Sequence, residues 1–267
     1  MTKNTDIESD KILYIFYYLK TNIKIKIRKN KYFNIFNMNI IGIDPSLIST
    51  GMIVNGKIFN YCRENDASSK SGLRKWYKLC EELVNFRYIN YRKFDNYSEG
   101  EIIKLKDYDK VTDMIISDIE RNINKSNPTK IGIEGFSFGS SVGDLLDLVT
   151  FSTLLRKKLF DCISTDILIL SPSTLKQESC KLTYQPVDIG KKKPKLIWRN
   201  NQGIKGGNFT KTEMCLSLIE NNNIDDKWSN HLRNIKSEIM INKKIPKPYE
   251  DINDAHLLYH ILKTKLL

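Results

Sequence analysis

The chain has 267 residues, with 43 Lys and Arg against 31 Asp and Glu, and its formal net charge is +12. A charge of this sign and size predicts a polyanionic partner. Five scattered cysteines, odd in number and without a CxxC pair, indicate neither a disulfide framework nor a zinc site, and they fit a reducing compartment inside a cell.

The first 37 residues differ in composition from the rest. They carry 8 Lys and Arg against 3 acids, and their apolar run at 12–19 is much too short to span a bilayer. Acids precede that run, which is atypical of signal and transit peptides. We therefore expect residues 1–37 to be a basic extension that is mobile or not translated, with Met38 as the functional start, and we expect no membrane anchor.

From residue 38 onward, short apolar runs alternate with helical periodicity, which predicts an α/β fold. The dipeptide Asn55-Gly56 predicts a two-residue hairpin turn. Pro172 fits the first turn of a helix. In chain order, the expected elements are strands over 39–43, 50–54 and 57–61, a helix over 107–123, a strand over 130–134, a helix from Asp144 to about Phe160, and a strand over 166–170.

The segment 178–204 has few apolar positions and contains the run KKKPK. We expect it to be a basic insertion, either disordered or tracking the phosphates of a polyanionic partner. The lysines expected to contact that partner are Lys191, Lys192, Lys193 and Lys195.

A helix start is predicted directly after this insertion. Thr210 is a plausible N-cap, Glu213 has the spacing of its capping-box partner, and Lys211 falls in the first turn. A lysine at a helix start suits phosphate binding, although the cap alone would account for the pattern.

Four acidic residues stand out: Asp44 in IGIDPS, Glu134 in IGIEGF, and Asp251 and Asp254 in EDINDAHLLYH. Asp44 and Glu134 end apolar runs that predict buried strands, where an unpaired carboxylate is costly. Asp251 and Asp254, three residues apart, share one face of a predicted helix. Mg²⁺ is the simplest cation for such oxygen ligands, and two ions close together can promote phosphodiester hydrolysis.

These motifs, in this order, resemble the RuvC-like Holliday junction resolvases, most of all their phage and large DNA virus branch. The resemblance covers roughly residues 38 to 266. It implies an RNase H-like fold with a mixed five-stranded sheet flanked by helices, formed by residues 38–267. It also implies a homodimeric endonuclease that resolves four-way DNA junctions by paired symmetric nicks, with two Mg²⁺ per site and Mn²⁺ as a substitute, in an infected cytoplasm or viral replication compartment.

The resemblance assigns roles to further residues. Asp44, Glu134, Asp251 and Asp254 would be the metal ligands, and Lys176 and Lys211 would lie near the scissile phosphate. Either Phe136 or Phe138, in the loop after Glu134, would wedge into an opened base pair. The helix after this loop would pack on its two-fold mate through a face formed by Leu145, Leu148, Val149, Ser152 and Leu155.

Other interpretations stay open at this stage. The turn in IGIDPSLISTG could be the ATP phosphate loop of an actin-like or sugar-kinase-like phosphotransferase, although no second glycine-rich phosphate loop follows. The chain could also bind branched DNA without cutting it, although an idle cluster of acids would repel itself. His256 and His260, at helical spacing, are expected in core packing, and His256 is close enough to Asp254 to support it.

Overall fold

The structure is a computed structural model, and it describes residues 38–68, 72–136, 142–190, 194–242 and 244–266. The basic extension at 1–37 lies outside the described residues, as do Phe138 and Lys191 to Lys193, so the predictions that fall on them stay predictions. No helix in the described part of the chain combines the length and the apolar character needed to cross a membrane.

The described residues form a mixed six-stranded sheet in the order β4-β3-β2-β1-β5-β6 and a separate two-stranded sheet of β7 and β8. In the large sheet only β2 runs against the other strands. The strands are β1 (Asn39–Asp44), β2 (Ser49–Val54), β3 (Lys57–Arg63), β4 (Val84–Ile89), β5 (Thr129–Glu134), β6 (Ile167–Leu170), β7 (Pro186–Asp188) and β8 (Leu196–Trp198).

Helices cover both faces of the large sheet, and two hydrophobic clusters fill the spaces between the layers. A short 3₁₀ turn at Gly206–Asn208 precedes the sixth helix. The helices are α1 (Glu64–Ala67), α2 (Arg74–Leu79), α3 (Tyr97–Asn122), α4 (Val142–Cys162), α5 (Pro172–Thr183), α6 (Lys211–Glu220), α7 (Lys227–Asn234), α8 (Lys236–Met240) and α9 (Tyr249–Leu266).

The strand order β3-β2-β1-β5-β6, with β2 antiparallel, is the RNase H-like arrangement that the resemblance implies. The hairpin turn is confirmed: Asn55 and Gly56 both have positive φ, 50° and 83°, as a tight two-residue turn requires. The predicted strand count of five is wrong. A sixth strand, β4, pairs in parallel with β3, and its VNFRYI sequence mixes polar and apolar residues without the apolar run that marks the other strands.

The helix α3 begins ten residues before the predicted start at 107, because Asn96 caps it by accepting a hydrogen bond from the Glu99 amide. The helix α4 matches its predicted limits to within two residues. Its predicted dimer face is only partly available, because Ser152 and Leu155 are fully buried within the chain. The remaining members of that face, Leu145, Leu148 and Val149, are half-buried.

The expectation that the insertion over 178–204 is disordered is wrong for the residues that the structure describes there, 178–190 and 194–204, while the expectation that it tracks DNA phosphates stays a prediction. The helix α5 continues to Thr183, and β7 and β8 then form a small antiparallel hairpin. The side chain of Asp188 stabilises this hairpin by accepting hydrogen bonds from the amides of Gly190 and Lys195, at 2.8 and 2.9 Å. The segment has few apolar residues to bury, and these hydrogen bonds help to hold the hairpin together instead.

The last helix, α9, lies directly on the sheet at three glycines. A Cβ atom on Gly42 would be 2.2 Å from the carbonyl oxygen of Ala255, and one on Gly51 would be 2.3 Å from that of Asp251. At Gly132 the nearest α9 atom, on Leu262, would be at 3.0 Å. Because Gly42 on β1 and Gly51 on β2 have no side chain, the backbone of α9 can contact the backbone of the sheet at these two positions.

A Gly42→Ala substitution should push α9 away from the sheet, because its new Cβ would meet backbone that cannot rotate aside. We expect a loss of at least about 1–3 kcal/mol in the free energy of unfolding, measured by urea denaturation. Gly72→Ala is the matched control, since nothing lies within 4 Å of its Cβ. Equal denaturation midpoints for the two variants would show that the helix is not held by this contact.

Candidate metal centre

Two of the four acids meet at one edge of the sheet. β1 and β5 pair in parallel and in register, with Ile43 opposite Ile133, so that Asp44 and Glu134 follow side by side at the carboxyl ends of their strands. Both residues are buried, and the charge of Glu134 acts on Asp44. Apolar strand residues therefore place two acids where neither is well solvated.

The helix α9 adds the other two acids. Its first turns cross β2 at Gly51, which brings Asp251 and Asp254 over the end of β1. Oxygens of Asp44, Glu134 and Asp254 lie within 4.8 Å of one another. Asp251 is outside this triple but close enough for its charge to act on Asp44 and Glu134. The structure thus gathers the four predicted acids, three of them tightly.

Two lysines contact these acids. Lys211, the first residue of α6, forms an ion pair with Asp254, and the capping box of Thr210 and Glu213 that starts this helix is confirmed. Lys247 forms an ion pair with Asp251 and was missed by sequence reasoning. Helical spacing gave no signal for it, because Lys247 precedes a proline and lies before the start of α9 at Tyr249.

Burial disfavours ionisation throughout the cluster. Burial and the neighbouring Glu134 charge raise the pKa of Asp44, and burial and the Asp254 charge raise that of Glu134. Burial raises the pKa of Asp254 to about 7 despite the opposing effect of Lys211, and it also raises that of Asp251 despite Lys247.

The charges of the acids outweigh those of the lysines. Four carboxylates face two ammonium groups, Lys211 and Lys247, which would leave two negative charges uncompensated if every acid were ionised. Burial lowers the pKa of Lys211, but the acids outweigh this and raise it, so the lysine stays charged. A divalent cation would supply the missing positive charge.

The donor set fits a hard divalent cation. All of its donor atoms are carboxylate oxygens, which Mg²⁺ and Mn²⁺ prefer, and oxygens bound to one ion at about 2.0–2.6 Å can be no more than about 5 Å apart. The Oδ2 atom of Asp251 is buried and accepts no hydrogen bond of ordinary geometry from the described residues. A buried oxygen without a donor is a ready ligand for a cation.

The roles predicted for Lys176, Phe136 and Lys195 concern contacts with DNA and stay predictions. Lys176 lies on α5, and its ammonium group forms no ion pair with the described residues. The ring of Phe136, half-buried, lies under the guanidinium of Arg156 at 4.3 Å from the ring centroid, and Arg156 also donates to the carbonyl oxygen of Glu134. Lys195 lies in the exposed β7–β8 hairpin.

The predicted support of Asp254 by His256 is wrong. The Nε2 atoms of His256 and His260 both lie 2.8 Å from Oδ2 of Asp226, at the start of α7. These three side chains form a second cluster, separate from the four acids.

Similarity to known proteins is confined to solved structures. No protein-family profile matches the sequence, and no curated protein is significantly similar to it. Thermus thermophilus RuvC aligns with 84% of this chain and 92% of its own, at 13% identity and a TM-score of 0.41. T. thermophilus RuvC in complex with a Holliday junction substrate aligns with 84% and 91%, at 11% identity and a TM-score of 0.39. At these values neither match identifies an activity for this chain.

The raised pKa of Asp254 predicts how stability depends on pH when metal is removed. The folded protein keeps a proton that the unfolded chain releases between pH about 4 and about 7, so stability must fall as pH rises through this window. We therefore compare the wild type with Asp254→Asn by denaturant titration in the presence of a chelator. The unfolding free energy of the wild type minus that of the variant should decline as pH rises from about 4 to about 7.

Asp118→Asn is the matched control with the opposite sign. Burial would raise the pKa of Asp118, but its hydrogen bonds with Arg87 and Tyr61 outweigh burial and lower it. The contribution of the Asp118 carboxylate to the free energy of unfolding should stay constant from pH about 4 to about 7 and decrease only below pH about 4. A wild-type and Asp254→Asn difference that does not change between pH 4 and 7 would mean that Asp254 is ionised without metal.

Proposed function

We propose that this chain is a metal-dependent endonuclease that resolves four-way DNA junctions by paired symmetric nicks. The observation that carries the proposal is the convergence of Asp44, Glu134, Asp251 and Asp254 at one edge of an RNase H-like sheet, with more negative charge than the neighbouring lysines neutralise. The phage or large DNA virus origin implied by the sequence motifs remains part of the proposal.

The four acids, with Asp44 at the centre, would hold two Mg²⁺ ions, which Mn²⁺ could replace. Divalent ions held there would supply the activation of a water and the stabilisation of the leaving oxygen that phosphodiester hydrolysis needs. Lys211 holds Asp254 in place, and its charge would offset that of the scissile phosphate. Burial of the acids keeps bulk water from screening these charges.

DNA binding would draw on the basic surface of the chain, whose net charge is +12. The β7–β8 hairpin would extend lysines, Lys195 among them, toward the duplex arms. Phe136 begins the loop that leaves the acid cluster, so its ring would reach an opened base pair only by leaving Arg156. Paired nicks require two copies related by a two-fold axis, and the half-buried residues of α4 would contribute to that interface.

The two alternative functions make different demands on the site. An ATP phosphotransferase of the actin or sugar-kinase type has no use for two acids on the last helix, and in this structure those acids are buried against Asp44 and Glu134. A protein that only binds junctions would gain nothing from four buried acids that repel one another. The acid cluster therefore favours the nuclease.

Neutralising the acids should separate cutting from binding. Asp44→Asn, Glu134→Gln, Asp251→Asn and Asp254→Asn should each retain junction binding in gel-shift assays. Each should lose cleavage by on the order of 10³-fold or more, because a metal ligand is lost at nearly constant volume. Cleavage is measured on a synthetic four-way junction and a matched linear duplex, with Mg²⁺ or with chelator.

Asp107→Asn is the control, because Asp107 is also a buried acid but pairs with Arg92 outside the cluster. It should cut at the wild-type rate. Symmetric nicks should occur on the junction alone and only with metal. Near wild-type cleavage by Asp251→Asn or Asp254→Asn would remove the α9 acids from the site, and ATP hydrolysis without cleavage would favour the phosphotransferase.

The lysines of the hairpin can be tested by the salt dependence of junction binding. Neutralising Lys191, Lys192, Lys193 and Lys195 should reduce the magnitude of the slope of log affinity against log salt, by up to about 0.9 for each DNA phosphate that the variant no longer neutralises. The cleavage rate at saturating protein should change little, since the variant keeps all four acids.

A variant with an equal loss of charge elsewhere is the control for this experiment. It should keep the wild-type slope; an equal fall in slope for both variants would mean that only the total charge matters. The control neutralises four exposed lysines outside the hairpin: Lys75, Lys78, Lys125 and Lys236.

A further inference from the structure

A second cluster of metal-binding side chains joins the start of α7 to the middle of α9. Oδ2 of Asp226 lies 2.8 Å from Nε2 of both His256 and His260, and the two Nε2 atoms are 3.1 Å apart. His256 and His260 are buried, while the Asp226 side chain is 31% exposed. Three donor atoms thus converge on one point from two elements.

Hydrogen bonds alone explain this arrangement poorly. If both imidazoles donate to Asp226, two N–H groups crowd one oxygen and their nitrogens face each other as donors. Imidazole nitrogens and carboxylate oxygens are both metal-binding donors, and here they converge within hydrogen-bond distance of one another.

The spacing fits a tetrahedral ion. Two histidines at i and i+4 on one helix face bind a single Zn²⁺ in HExxH-type sites. Ligand atoms about 2.0–2.2 Å from a tetrahedral Zn²⁺ are about 3.3 Å apart, so the three donor atoms would have to separate by only about half an ångström. Imidazole nitrogens favour Zn²⁺ over Mg²⁺, which distinguishes this cluster from the four acids.

We propose that Asp226, His256 and His260 form a Zn²⁺ site. Its fourth position would open into a cleft of about 750 Å³, where water can complete the shell. The ion would tie the N-terminus of α7 to α9, the helix that carries Asp251 and Asp254. The site uses none of the four acids, so it is independent of the proposed nuclease.

The test is a Zn²⁺ titration of the metal-stripped full-length chain against a chromogenic chelator, in excess Mg²⁺ to occupy the four acids. One equivalent should bind tightly, and Co²⁺ should give the visible absorption of a tetrahedral site. Asp226→Asn and His260→Gln should weaken Zn²⁺ binding by more than about 100-fold, since even the loss of a residue that only supports a ligand costs 10–100-fold.

The variants are chosen to remain folded and to separate the two sites. Asp226 caps α7 by accepting a hydrogen bond from the Ser229 amide, and asparagine caps helices equally well, so Asp226→Asn should keep its structure by circular dichroism. His231→Gln is the matched control, because His231 pairs with Tyr249 outside the cluster. Asp44→Asn should bind Zn²⁺ like the wild type.

Two results would overturn the proposal. Zn²⁺ affinity in Asp226→Asn and His260→Gln equal to that of the wild type would mean that the cluster holds only hydrogen bonds. Zn²⁺ binding lost in Asp44→Asn but kept in Asp226→Asn would mean that the ion binds the four acids instead. Neither result depends on cleavage, so failure of the nuclease proposal leaves this test intact.

Discussion

The close approach of α9 to the glycines of β1 and β2 is the constraint on which the candidate site depends. Gly42 and Gly51 leave no room between helix and sheet for a single methyl group. The first turns of α9 are therefore held over the end of β1, where Asp44 lies. A larger residue at either glycine would separate the acids, whatever the acids themselves were.

The close approach of α9 to the sheet brings negatively charged groups together in a buried place, and positively charged residues lie beside them. The four buried acids oppose one another's ionisation, and each of the two acids on α9 forms an ion pair with a lysine. Lys211 and Lys247 neutralise half of the charge. A bound divalent cation would neutralise the remaining negative charge, so that the four acids could be ionised inside a stable fold.

Sequence patterns predicted the elements that depend on residues close together in the chain. Apolar runs located five strands of the large sheet, Asn55-Gly56 located the hairpin, and Thr210 with Glu213 located the start of α6. Patterns failed where partners distant in sequence decide the outcome. The strand β4 forms because β3 offers it a free edge, and His256 turns to Asp226 because α7 packs beside α9. Neither neighbour can be read from residue spacing.

The position of α9 in the chain has a consequence for how the protein matures. This helix follows every strand of the sheet, so during synthesis the strands with Asp44 and Glu134 emerge first. Until α9 packs on the sheet, Gly42 on β1 would be exposed. Asp44 and Glu134 would then stay hydrated, without the burial that raises their pKa. A nascent or partly folded chain would therefore lack the assembled acid cluster, and the proposed metal site would form only when the fold is complete.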